Sequence, residues 1–82
     1  MNTANDNQTI PLMMLPPGKE GRVVEVRGGQ GMRQRLSSMG IHPGQNISLI
    51  RGQSGGPVIV KVQESRVGIG RGMAHRVMVK QK

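Results

Sequence analysis

Cysteine, tryptophan, tyrosine and phenylalanine are all missing from the 82 residues, and only four side chains are acidic. Without cysteine there is no disulfide framework, thiolate zinc site, iron–sulfur cluster or thiol nucleophile. Such a chain suits a reducing cytosol. Without aromatic rings there is no platform for stacking bases, the usual grip on single-stranded nucleic acid. Long apolar runs are missing too. The longest, Ile10 to Leu15, is interrupted by Pro11 and is far too short to span a bilayer. Met1 to Thr9 is polar and lacks the basic and apolar regions of a signal peptide. The expected location is the cytoplasm.

Chemistry-bearing residues are as sparse. The acids are Asp6, Glu20, Glu25 and Glu64, and the imidazoles are His42 and His75. No spacing among them seats a base beside a nucleophile, so no catalytic residue and no enzymatic activity are expected. Glu20 and Glu25 are odd-spaced on one strand and should lie on opposite faces. A metal site needs three or four convergent ligands, which this inventory does not supply, and no metal or cofactor is expected. The seven Met replace missing aromatic bulk, and Met32, Met39, Met73 and Met78 fall at positions expected for packing.

What is present is positive charge. Twelve Lys and Arg against four acids give a net +8, spread from Lys19 to Lys82 without a dense block. Such a surface attracts acidic partners: an acidic protein face, anionic lipid or nucleic acid. The length allows one domain, expected over 10–82 behind a frayed tail at 1–9. A domain this small buries only ~60–65% of its unfolded surface, which favours a binding module over an enclosed active site.

Along the chain, Ile10 to Leu15 reads as an apolar turn packed across the domain, ended by Pro16-Pro17-Gly18. Gly21 to Arg27 alternates as a strand, placing Val24 and Val26 on one face and Val23, Glu25 and Arg27 on the other. After Gly28 to Gly31, Met32, Leu36 and Met39 recur at i, i+4 and i+7. That spacing predicts one buried stripe on a short helix near Gly31 to Met39, with Arg33, Gln34 and Arg35 turned outward. Gly40 suits the left-handed residue beyond the helix, with Ile41 folding back on Leu36. His42-Pro43-Gly44-Gln45 fits a type II turn. Asn46 to Arg51 (Ile47, Leu49 inward), Val58 to Val62 and Arg66 to Gly70 (Val67, Ile69 inward) alternate as strands. Gly52 to Pro57 is a loop and Gln63 to Ser65 a hairpin turn. Gly70 to His75 permits a helical turn around Ala74, and Val77 and Val79 mark a last strand. Five short strands with one inserted helix predict a mainly β fold, a small SH3-like barrel.

The glycine-rich joint between strand and helix invites a phosphate-loop interpretation, but Gly18-Lys19 is followed by Glu20 and Gly29-Gln30-Gly31 lacks a third glycine. Nucleotide binding is not expected.

Arg33-Gln34-Arg35-Leu36-Ser37-Ser38-Met39-Gly40-Ile41-His42-Pro43-Gly44 resembles the Arg-x-x-Leu-x-x-Leu-Gly-x-x-Pro-Gly signature of FeoA-type domains, with Met39 in place of a Leu. The Gly55-Gly56-Pro57 loop and Arg71 to Val77 fit the same pattern, so the resemblance spans about Leu12 to Lys80. It implies an SH3-like adaptor of bacterial ferrous iron uptake that binds and regulates the membrane transporter FeoB. Nucleotide and metal chemistry would then belong to that partner. The alternative class is an SH3-like RNA- or DNA-associated module, for which the +8 charge is the main feature. For docking an acidic protein face, the expected residues are Arg33, Gln34 and Arg35 on the helix, His42 on the adjoining turn and Arg51 at the edge of the next loop, all on one compact face.

Overall fold

The computed structural model describes residues 8–52 and 56–82. In chain order they form β1 (Ile10–Pro11), a 3-10 turn (Leu12–Met14), β2 (Glu20–Val26), α1 (Gln30–Ser38), β3 (Asn46–Arg51), β4 (Val58–Val62), β5 (Ser65–Ile69), α2 (Arg71–Ala74) and β6 (Val77–Gln81). The strands make one antiparallel sheet in the order β1-β6-β2-β3-β4-β5. The sheet curls into a small barrel-like fold without closing. Of the expected tail, 1–9, only Gln8 and Thr9 lie among the described residues, and they carry no regular structure.

Turn chemistry sets the path. Gly18 (φ 87°) follows Pro17, and the Lys19 amide donates to the Pro16 carbonyl at 3.0 Å. Gly44 (φ 94°) follows Pro43 in the same way, and the Gln45 amide donates to the His42 carbonyl at 3.1 Å. Both are type II turns, whose third residue must adopt the left-handed region that glycine tolerates. The end of α1 is a full Schellman stop. Gly40 lies at φ 90°, its amide donates to the Ser37 carbonyl, and the Ile41 amide reaches back to Leu36. Leu36 and Ile41 are both fully buried, as that motif's hydrophobic contact requires.

The core is aliphatic throughout: Leu12, Leu15, Leu36, Ile41, Ile47, Leu49, Ile69, Ala74 and a set of valines, with Met13, Met32, Met39 and Met73 packed against it. The strand faces follow the expected alternation in β3, β4 and β5, whereas β6 buries Val77, Met78 and Val79 in succession. Two further features differ from expectation. The apolar segment before Pro16 adds a sixth strand, because Ile10 and Pro11 pair with Val79 and Met78 before the chain turns. The second is a bulge in β2. Val23 pairs with Val79 and Glu25 with Met78, leaving Val24 without a partner on β6. The extra residue resets the two-residue alternation. Val23 and Val26 therefore both face the core, while Val24 is 42% exposed. For the same reason Glu20 and Glu25 share the outer face instead of dividing between faces.

Candidate functional site

The bulge and the Schellman stop together build a groove. β2 delivers Glu25 and Val26 to one wall. α1 supplies Arg33 and Ser37 one turn apart, and the tight return after Gly40 brings Ile41, His42 and Pro43 to the third side. The space is about 270 Å³ and open to solvent. Its floor is apolar, made by the buried Val26 and Ile41. Its rim carries the Arg33 guanidinium, the His42 ring and the Glu25 carboxylate. That carboxylate accepts from Arg27 Nε at 3.0 Å, an exposed contact that restrains it beside its own strand. His42 Nδ1 lies 3.2 Å from the Pro43 carbonyl oxygen, which orients the ring on the turn. An apolar side chain followed by a carboxylate matches this arrangement, the first entering the floor and the second meeting Arg33.

Of the five residues expected to dock a partner, Arg33 and His42 line this groove. Gln34 is exposed on α1 and lines none of the grooves described here. Arg35 turns to a different depression, shared with Gly31, Met32 and Met73 where α1 approaches α2. Arg51 does not join the others. The α1 end of the barrel is marked by Gly40, where a side chain would meet Val62 Cγ1 at 3.1 Å. The other end is marked by Gly52, where a side chain would meet Met13 Cε at 3.7 Å. β3 begins just after the His42 turn and ends at Arg51, five residues and ~17 Å along the strand. The expected single basic face is thus divided between two ends of the barrel. Of the loop beside Arg51, residues 53–55 lie outside the described residues. The apolar Leu12 to Leu15 segment is not a free patch, since Leu12 and Leu15 are buried; only Met14, at 68% exposure, faces out.

Sequence reasoning missed Glu25, Ser37 and the apolar floor. Ser37 was discoverable, since it stands four residues after Arg33 on a helix. Glu25 lies on the face opposite the buried Val26, as alternation places it, but its meeting with α1 and the His42 turn is a tertiary contact that the sequence does not show. Among the described residues no cluster of three or more His, Asp or Glu side chains could hold a metal ion. No helix among them is long and apolar enough to cross a membrane.

A family model described as the FeoA domain matches residues 10–81. A candidate Fe(2+) transport protein A from Methanocaldococcus jannaschii is 44% identical over 69 residues, covering 84% of this chain and 83% of that protein. A crystal structure of an iron uptake regulatory protein, FeoA, superposes with a TM-score of 0.85 at 41% identity, over 92% of this chain and all of the other. The zinc complex of Stenotrophomonas maltophilia FeoA, described as a prokaryotic SH3 domain protein, reaches a TM-score of 0.72 at 24% identity. It covers 92% of this chain and 95% of that one, and it speaks for the fold alone.

Proposed function

This chain belongs to the FeoA family, and on that premise we propose that it is a cytoplasmic adaptor that binds and regulates the FeoB ferrous iron transporter through the groove between α1 and β2. The family is one of non-enzymatic accessory proteins with an SH3-like fold. The observation that carries the docking site is the pairing of an apolar floor, Val26 and Ile41, with a cationic rim at Arg33. Apolar burial supplies affinity, and the charge sets register and speeds encounter with an acidic face. The net +8 acts in the same direction over longer range.

Titration of the full chain against the cytosolic part of FeoB tests this, with a single-stranded RNA as control. Changing Arg33→Ser and His42→Ala together should weaken transporter binding by roughly tenfold. The melting temperature should stay nearly unchanged, because neither residue belongs to the core. Arg51→Ser, at the other end of β3, should leave binding intact. Binding that survives the groove change but falls with Arg51 would overturn the assignment. RNA binding as tight as transporter binding would favour the nucleic-acid module instead.

A further inference from the structure

The sheet order leaves two strands at its edges, β1 and β5. β1 is two residues long and one of them is Pro11, which has no amide to offer, so that edge is blunted. β5 has five residues and a regular register against β4 on its other side. We propose that the β5 edge takes up an extended acidic segment of a partner protein as an added antiparallel strand, with one of its carboxylates opposite Arg66.

The hydrogen-bond pattern of the hairpin sets which groups are free. β4 and β5 are joined through Gln63 and Glu64 alone, with Val62 paired to Ser65. The residues flanking a two-residue hairpin loop exchange both backbone hydrogen bonds, and such pairs then alternate along the ladder. Ser65, Val67 and Ile69 therefore direct their amides and carbonyls to β4, while Arg66 and Gly68 direct theirs outward. Both are exposed, and neither makes a further backbone hydrogen bond to a described residue. Gly68 adds no side chain that would keep a new strand at a distance.

Charge gives the occupant its chemistry. Arg66 stands directly opposite Lys61, both exposed, on the outer face. Like charges in that position destabilise a sheet. Neither has an acidic partner among the described residues, where the ion pairs are Arg27 with Glu25 and Lys82 with Glu20. An acid on an added strand opposite Arg66 lies on the same face and offsets the repulsion. On the inner face the neighbour is Val67, half-buried against the core, which suits an apolar residue next to that acid. The recognised pattern is an apolar residue followed by an acidic one in an extended chain. A second copy of this chain fits poorly, since it brings +8 against +8 and places two Arg66 on one face of a joined sheet. The charge that deters self-pairing selects an acidic strand. This surface is separate from the groove beside His42 and does not depend on it.

The test uses the full chain, isotope-labelled, titrated to millimolar concentration with the blocked peptide Thr-Thr-Val-Glu-Thr-Thr and with the same peptide carrying Lys for Glu. The acidic peptide should move the Arg66 and Gly68 amide resonances and slow their hydrogen exchange, and the Lys peptide should not. Arg66→Glu should reverse the preference, weakening the acidic peptide by roughly fivefold or more, and Arg66→Gln should fall between. Both variants alter an exposed side chain and relieve the repulsion with Lys61, so melting temperatures no lower than that of the unaltered chain establish that they are folded. Three results would overturn the proposal. They are equal response to both peptides, shifts confined to Arg33, Ser37 and His42, or concentration-dependent protection of Arg66 and Gly68 without any peptide.

Discussion

Deleting one residue from a central strand ordinarily destroys a small β domain, yet deletion of Val24 should be tolerated here. Val24 is the residue that the β2 bulge leaves unpaired on β6. Removing it keeps Val23 opposite Val79, Glu25 opposite Met78 and Val26 opposite Val77, now as an unbroken ladder. The valines at 23 and 26 stay buried, and the lost side chain was 42% exposed. What disappears is the local twist that the bulge adds. The expected cost is about 1–2 kcal/mol, that of an ordinary point change, or a fall in melting temperature of about 5–15 °C for a domain of this size. Deletion of Arg22, two residues earlier, should do far more. It moves Glu20 into the place of Gly21, where even a methyl group would lie 3.2 Å from the Lys80 carbonyl oxygen and 3.4 Å from Leu15 Cδ2. An unpaired carboxylate there costs several kcal/mol, against a total stability of roughly 4–12 kcal/mol for 82 residues. That variant should not fold. Urea and thermal melts followed by far-ultraviolet circular dichroism make the comparison, since the chain has no aromatic residue to follow by fluorescence. An unfolded Val24 deletion, or an Arg22 deletion as stable as it, would refute the assignment of the bulge.

Three further outcomes follow from local geometry and can be read in the same melts. Leu36→Ala removes a fully buried side chain from the helix–barrel contact and should cost ~2–4 kcal/mol; a loss below about 0.5 kcal/mol would contradict its burial. Gly40→Ala forces a Cβ into a left-handed residue (φ 90°) and within 3.1 Å of Val62 Cγ1, and should cost about 1–2 kcal/mol or more. Gln63 is the one non-glycine residue with positive φ (57°) among the described residues, so Gln63→Gly should raise stability by a few tenths to about 1 kcal/mol. A drop would mean that the exposed Gln63–Gln45 contact at 3.4 Å matters more than backbone strain.

By itself the sequence determined the parts whose physics is local. The i, i+4, i+7 spacing of Met32, Leu36 and Met39 placed α1, because helical periodicity needs no knowledge of the partner surface. Gly40 and the two Pro-Gly turns announced their conformations because few residues tolerate left-handed backbone. Alternation in β3, β4 and β5 was legible because those strands present one face to the core along the lengths read. Tertiary structure alone decided the rest. The bulge in β2 is a property of the pairing with β6, and nothing in Val23-Val24-Glu25-Val26 records where an extra residue will be left out of the ladder. That one misfit reversed the faces of Val23 and Val24. The pairing of Ile10 and Pro11 with β6 is a long-range contact across most of the chain. The grouping of basic residues was undecidable for the same reason. Arg33, His42 and Arg51 lie within nineteen positions of one another in the chain, but the direction of β3 carries Arg51 to the opposite end of the barrel from the other two.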